Sequence, residues 1–107
     1  VVVAVEPVAD ELIQKIKDRA ATLRIGDGRR GCDMGPLVTK QHRDKVASYI
    51  EVAEQDGAVV VVDGRTVRPD GDENGFWLGP TLIDQVPTTS RVYTEEIFGP
   101  VLSVVRV

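Results

Sequence analysis

The chain has 107 residues, of which 17 are Asp or Glu and 13 are Lys or Arg, so its formal net charge at pH 7 is -4. This balance argues against a protein that binds nucleic acid or an anionic membrane, because such partners are held by clusters of Lys and Arg. The longest basic cluster is the pair Arg29 and Arg30. No apolar run approaches the roughly 20 residues that a membrane-spanning helix needs, and the length allows one domain at most.

The single cysteine, Cys32, cannot form an internal disulfide, which predicts a reducing compartment. We therefore expect a cytoplasmic protein, or one of the mitochondrial matrix if the source is eukaryotic. The chain starts without Met on a Val-rich run and ends on another strand-like run, residues 101–107. Both features predict a piece of a longer polypeptide, with residues 1–107 forming a single partial domain.

The first predicted elements are a strand and a helix. The β-branched run of residues 1–5 predicts a strand that is buried on both faces, as in parallel sheets. Pro7 suits the first turn of a following helix, and Gly26 is typical of a helix end. Between them, apolar residues recur every three or four positions and predict one buried stripe. The residues of this stripe are Ala9, Leu12, Ile13, Ile16, Ala20 and Leu23.

The remaining pattern extends the alternation of strands and helices. Thr39 predicts the amino-terminal cap of a second helix, and Gly57 suits the position just after its end. The buried stripe of this helix is predicted to contain Val46, Tyr49, Ile50 and Ala53. Further strands are predicted at residues 58–62, 81–86 and 101–107, loops at 26–37 and 63–75, and a turn with room for one helical turn at 87–94. Val-rich strands that alternate with two amphipathic helices predict an α/β layer architecture.

The most distinctive stretch is residues 95–101, Glu-Glu-Ile-Phe-Gly-Pro-Val. Glu96 stands just before a predicted turn that leads into the last strand, and ligands of open α/β sheets gather where loops meet strand ends. An ionised carboxylate accepts two hydrogen bonds, which suits the vicinal diol of a ribose, and Phe98 offers a flat apolar face nearby. A purely structural role also stays open, in which Gly and Pro form the turn, the apolar pair fills the core and both glutamates are solvated.

Residues 95–101 resemble the E-E-I-F-G-P-V signature of aldehyde dehydrogenases, which oxidise aldehydes with a nicotinamide dinucleotide. The resemblance implies that Glu96 binds the hydroxyls of the nicotinamide ribose and that Phe98 packs beside the nicotinamide end of the coenzyme. Glu95 matches the first glutamate of the motif, for which we expect a structural role. The implied cofactor is NAD, the implied partner is a small-molecule aldehyde, and the parent enzyme is expected to be a homo-oligomer.

The resemblance covers nearly the whole chain. Residues 33–39 resemble the family's loop that enters a helix after D-x-G-P, and residues 75–82 resemble its G-(Y/F)-F-x-x-P-T strand entry. With residues 93–107, these blocks are most similar to the methylmalonate-semialdehyde dehydrogenase branch of the family. That branch implies oxidation of methylmalonate or malonate semialdehyde with coenzyme A as the acyl acceptor. On this resemblance, the chain is the C-terminal part of the catalytic domain.

The family's nucleophile is a cysteine, because a thiolate attacks carbonyl carbon readily and leaves well from the acyl-enzyme. The resemblance places that cysteine a few residues upstream of Val1, so no catalytic residue is expected within the chain, and the isolated chain is expected to be inactive. Cys32 stands elsewhere, in a Gly-rich loop. Arg29 and Arg30 favour a reactive thiol there, but His42 is expected on the exposed side of a helix, so no Cys–His pair is indicated.

Two further sequence patterns and two other functions compete with this interpretation. Residues 26–31 spell G-x-G-x-x-G, but the dinucleotide fingerprint needs a strand before it and a helix after it, so a connector is predicted. One Cys and one His are too few for a zinc site, and no metal is expected. A non-catalytic α/β interaction module or docking fragment stays open because the nucleophile is absent. A hydrolase is disfavoured because no Ser-His-Asp arrangement can be assembled around His42.

Overall fold

A computed structural model describes residues 1–71 and 74–107 of the chain. Asp72 and Glu73, which fall within the predicted loop at 63–75, lie outside the described residues. Over the described residues the chain forms four strands, β1 (Val2–Ala4), β2 (Val59–Val62), β3 (Thr81–Asp84) and β4 (Val101–Arg106). It also forms three helices, α1 (Ala9–Ala21), α2 (Lys40–Gln55) and α3 (Arg91–Thr94), and two 3-10 turns, Gly28–Arg30 and Gly64–Thr66. The predicted α/β class is confirmed.

The four strands form one mixed sheet in the order β1-β4-β3-β2. β1 and β3 both run parallel to β4, whereas β2 pairs antiparallel with β3. Neither β3 nor β4 is an edge strand, so each hydrogen-bonds to a neighbour on both sides. None of the helices built from the described residues combines the length and the apolarity needed to cross a membrane.

Helices cover both faces of the sheet. Consecutive residues of a strand point to opposite faces, so neighbouring residues of β4 show which helix packs on each face. On β4, Val104 packs in a cluster with Ala9 and Ile13 of α1. The next residue, Val105, packs in a different cluster with Tyr49 and Ala53 of α2. The sheet is therefore the middle of three layers, with α1 on one side and α2 with α3 on the other. Burial on both faces explains why four of the six residues of β4 are apolar.

Strand β1 is less buried than the Val-rich sequence predicts. Ala4 is buried against α1, but Val3 is 58% exposed, and Val1 and Val5 are also exposed. The prediction of a strand buried on both faces is therefore wrong for this chain. β-branched residues favour the extended backbone in any half-buried strand, so composition alone does not determine how many faces are covered.

Helix α1 begins two residues later than the sequence predicts. Pro7 lies before the helix in a turn, and its peptide bond with Glu6 is cis. The first helical residue is Ala9, and the side chain of the N-cap residue Val8 makes no capping hydrogen bond. The predicted apolar stripe is confirmed at its core, since Ala9 and Ile13 are buried and the rest of the stripe is partly buried.

The end of α1 also differs from the prediction. The helix ends at Ala21, where the Thr22 hydroxyl donates a hydrogen bond to the carbonyl oxygen of Arg19 at 2.7 Å. Gly26, the predicted helix end, instead forms a parallel bridge with Asp70. A Cβ at Gly26 would lie 2.8 Å from the carbonyl oxygen of Asp70. The glycine is therefore required by a close approach between two loops rather than by the end of a helix.

Helix α2 and the later strands follow the prediction closely. The Thr39 hydroxyl accepts a hydrogen bond from the backbone N–H of His42 and caps α2, and Gly57 follows the helix with φ of 87°. The whole predicted stripe of α2 is buried: Val46, Tyr49, Ile50 and Ala53. β2 and β4 match their predicted ranges to within one residue. β3 ends at Asp84 because Gln85 adopts a positive φ of 55°, which no regular strand accommodates.

Candidate functional site

The loop of residues 95–100 joins α3 to β4 at the amino ends of the two central strands. Thr81, the first residue of β3, pairs with Val101, the first residue of β4, and the Thr81 N–H donates to the carbonyl oxygen of Pro100 at 2.9 Å. Ligands of open parallel sheets usually bind at the carboxyl ends of the strands. The position in the sheet therefore does not favour a site here, and the case depends on the loop itself.

The amino-terminal side of this loop is anchored by Glu95. Its carboxylate accepts hydrogen bonds from the Tyr49 hydroxyl at 2.6 Å and from Arg91 Nε at 2.8 Å. The hydrogen bonds from Arg91 and then Tyr49 lower the pKa of Glu95 to about 2. The Arg91 guanidinium also lies 5.5 Å from the centre of the Tyr49 ring, a favourable cation–π geometry. Glu95 therefore ties α3 to α2, which confirms the structural role expected for it.

The carboxyl-terminal side of the loop is held by close packing against α2. A Cβ at Gly99 would lie 2.6 Å from Cγ1 of Val46, which is fully buried. The carbonyl oxygen of Gly99 accepts a hydrogen bond from the N–H of Val101 at 2.8 Å. Between the two anchors, Ile97 packs partly buried against the core on α2. Both ends of the loop and one side chain in its middle are therefore fixed to the fold.

Phe98 projects from the middle of this anchored loop. Its side chain is 76% exposed, and its backbone is left-handed, with φ of 59°. Its carbonyl oxygen lies 2.7 Å from Nε2 of His42, in the first turn of α2. Because a carbonyl oxygen only accepts hydrogen bonds, Nε2 carries the proton that is donated. The structural alternative in which the apolar pair fills the core is wrong for Phe98 and right for Ile97.

His42 is the residue that the sequence prediction missed. It was expected on the exposed side of a helix, but the structure places it half-buried against the loop. The only local signal was its place in the first turn after the Thr39 cap. Side chains of a helix tilt toward its amino terminus, so a residue in the first turn can contact a segment that packs there. Its contact with Phe98 joins positions 56 residues apart, and no local pattern reports such a contact.

Glu96 is exposed, and its carboxylate accepts no hydrogen bond from residues 1–71 or 74–107. The structure thus brings the two predicted coenzyme-binding residues, Glu96 and Phe98, together on one anchored loop. One presents an unpartnered carboxylate and the other a flat apolar ring. Together these groups can accept hydrogen bonds from a diol and lie against an aromatic ring next to it.

Cys32 and residues 26–31 form a connector between α1 and α2. Asp27 caps the short turn Gly28–Arg30, and its carboxylate accepts hydrogen bonds from the Arg29 side chain, which lower the pKa of Asp27 to about 2. The charge of Arg29 is therefore engaged by Asp27 rather than by the thiol. A helix precedes this segment and no helix start follows it directly, which confirms the predicted connector. Across the part of the chain that the structure describes, no group of three or more His, Cys, Asp or Glu could hold a metal ion.

Comparison with known proteins agrees with this fold. The sequence model of the aldehyde dehydrogenase family matches residues 1–107, the full length of the chain. The chain therefore belongs to the aldehyde dehydrogenase family. Membership rests on the whole chain and not only on the distinctive loop.

Several similar members of this family are semialdehyde dehydrogenases. A malonate-semialdehyde dehydrogenase of Pseudomonas aeruginosa is 50% identical over 103 residues, which cover 95% of this chain and 21% of that protein. The crystal structure of the methylmalonate-semialdehyde dehydrogenase of Oceanimonas doudoroffii is 47% identical and matches with a TM-score of 0.92 over 100% of this chain and 23% of that one.

A second solved structure was determined with coenzyme. It is a protein of Sinorhizobium meliloti 1021 that is assigned as a methylmalonate-semialdehyde dehydrogenase and is complexed with NAD. It is 43% identical, with a TM-score of 0.91, over 100% of this chain and 23% of that one. The chain thus spans about a fifth of the length of the relatives that it matches.

Proposed function

We propose that this chain forms one wall of the coenzyme site in an NAD-dependent aldehyde dehydrogenase. The observation that carries the proposal is the anchored loop, which leaves the Glu96 carboxylate unpartnered among the described residues and the Phe98 ring exposed. Family membership and the NAD bound to the Sinorhizobium meliloti protein support it. An interaction module is less well supported, because the family that matches residues 1–107 is a family of enzymes.

In this proposal, Glu96 accepts hydrogen bonds from the two hydroxyls of the nicotinamide ribose. Hydrogen bonds to an ionised carboxylate are stronger than those between neutral groups. Phe98 limits the positions that the nicotinamide ring can occupy, and bound NAD supplies the hydride acceptor. The loop acts by holding a reacting geometry, because its anchors at Glu95 and Gly99 are contacts within the fold itself.

The register of the sheet supports the expected position of the nucleophile. β1 runs parallel to β4 with Val2 opposite Val104, so a residue that preceded Val1 in extended conformation would lie toward the level of Val101. That is the edge of the sheet where Glu96 and Phe98 lie. A cysteine placed a few residues before Val1, as the family resemblance implies, would therefore stand at the same edge. We propose that the nucleophile lies there and that the isolated chain is inactive.

The proposal for the substrate rests on the names of the relatives, and the proposal for the acyl acceptor rests on the family resemblance. The names malonate- and methylmalonate-semialdehyde dehydrogenase support one of these semialdehydes as the substrate of the full-length polypeptide. For the acyl acceptor we propose coenzyme A, from the resemblance to the methylmalonate-semialdehyde branch. A homo-oligomeric parent is proposed on the same resemblance, and a cytoplasmic location is proposed from the single cysteine. Formation of acyl-CoA rather than free acid, followed with and without added coenzyme A, tests the acceptor.

Substitution of Glu96 in the full-length polypeptide tests the coenzyme site. Glu96→Gln keeps the shape of the side chain but removes the charge, and charged hydrogen bonds are the stronger class. We expect kcat/KM for NAD to fall about ten- to a hundredfold with folding retained. Glu51→Gln, which changes an exposed glutamate outside the loop, on α2, is the matched control and should have no effect. Unchanged coenzyme affinity and turnover in Glu96→Ala would refute the ribose role.

Activity of the purified 107-residue chain tests whether the catalytic nucleophile lies outside residues 1–107. No aldehyde oxidation is expected from it, because the proposed nucleophile lies outside it. Measurable oxidation that is lost in Glu96→Ala would place a nucleophile within the chain. If the full-length polypeptide neither bound NAD nor oxidised a semialdehyde, the interaction module would become the better hypothesis.

A further inference from the structure

Phe98 has a backbone conformation that its own side chain does not favour. A φ of 59° places it in the left-handed region, where residues with a side chain are uncommon. Such a conformation persists only when the surrounding structure holds it. The ring is 76% exposed, so burial of the side chain does not stabilise it. The contacts that hold Phe98 must therefore involve its backbone.

The backbone is held by two residues on one face of α2. His42 Nε2 donates a hydrogen bond to the Phe98 carbonyl oxygen at 2.7 Å. Four residues further along the helix, Val46 packs directly against Gly99. Residues four apart lie on the same face of a helix. His42 and Val46 therefore contact the peptide between Phe98 and Gly99 from the same side. The backbone of His42 is held at the start of α2, because the Thr39 hydroxyl accepts its N–H at 3.1 Å.

We propose that His42 is a positioning residue that sets the direction in which Phe98 projects toward the coenzyme. This inference rests on the proposed function, in which Phe98 contacts the coenzyme. The direction of the ring depends on the backbone torsion angles at Phe98. The hydrogen bond from His42 holds the Phe98 carbonyl in the orientation that goes with the left-handed φ. Without this bond the backbone relaxes toward the common negative φ and the ring turns away from the loop surface.

The first test compares three variants of the full-length polypeptide. His42→Ala removes the donor, and we expect kcat/KM for NAD to fall about two- to tenfold, the range for one lost hydrogen bond. His42→Gln keeps an N–H donor on a flexible side chain and should recover part of the loss. Gln41→Ala changes an exposed neighbour on the same turn and should behave as wild type. A lowered thermal midpoint with unchanged NAD kinetics in His42→Ala would overturn the proposal, because that result indicates a structural role alone.

A double-mutant cycle tests whether His42 acts through the Phe98 ring. If it does, His42→Ala has no further effect on NAD kinetics when Phe98 is already changed to Ala. Additive effects of the two substitutions would show that His42 acts by a route of its own, and the proposal would be wrong.

The same measurements separate this inference from the proposed function. If Glu96→Gln weakens NAD binding while His42→Ala does not, the coenzyme site stands and the positioning role of His42 falls. If neither variant affects NAD binding, both the proposed function and this inference are wrong. If both variants weaken binding and the cycle is non-additive, both proposals are supported.

Discussion

Gly99→Ala is the substitution for which the structure makes the most direct prediction. The added Cβ would lie 2.6 Å from Cγ1 and 2.8 Å from Cγ2 of Val46. Carbon atoms in contact are normally separated by about 3.5–4.0 Å, so one side must move by about 1 Å. Val46 is fully buried and β-branched in a helix, where one rotamer dominates, and both of its γ-carbons face Gly99. The loop must therefore move, which stretches the hydrogen bond between His42 and Phe98.

Overpacking of this kind costs about 1–3 kcal/mol. We expect Gly99→Ala to lower the thermal midpoint of the full-length polypeptide and to raise the dissociation constant for NAD. Gly28→Ala is the matched control, because a Cβ at Gly28 meets no atom within 4 Å. Val46→Ala opens space opposite Gly99, so the double variant should bind NAD more tightly than Gly99→Ala alone. A wild-type thermal midpoint and NAD affinity in Gly99→Ala would refute the packing argument.

Two further predictions concern charge and the thiol. The pKa of Glu95 is lowered from 4.5 to about 2, so its bonds to Arg91 and Tyr49 contribute stability that is present above about pH 4.5 and is lost as the pH falls toward 2. The thermal midpoint of wild type should therefore fall more steeply over that pH range than that of Glu95→Gln, and parallel curves would contradict the anchor. Cys32→Ser should keep full aldehyde oxidation in the full-length polypeptide, whereas loss of turnover without loss of folding would give Cys32 a part in the chemistry.

Helix α2 shows how much of the fold the sequence determined. Its cap at Thr39, its four buried residues and the glycine after its end were all predicted, and the structure places each of them as expected. The cap and the final glycine depend on interactions within about one helical turn, such as a hydroxyl that accepts a nearby N–H, and the buried stripe follows a periodicity visible within the helix. The order of strands and helices was predictable for the same reason, because hydrophobic periodicity is a local property of the chain.

Predictions that depended on distant neighbours were less accurate. The composition of β1 predicted burial on both faces, but the number of covered faces depends on what packs beside the strand. Gly26 was predicted to end α1, and it is in fact required by the approach of Asp70 from another loop. Pro7 was predicted within α1 and lies in the turn before it. In each case the local signal was compatible with several structures, and a contact from far along the chain selected one.

The candidate site divides in the same way. The sequence by itself determined which residues to examine, because Glu96 and Phe98 belong to a contiguous motif, and it indicated that Glu95 would be structural. Only the tertiary structure decided that Glu95 is tied to Tyr49 and that His42 holds the Phe98 carbonyl. The physical reason is that the chemistry of each side chain depends on its residue type alone. The direction and exposure of these side chains depend on how α2 packs against the loop that enters β4.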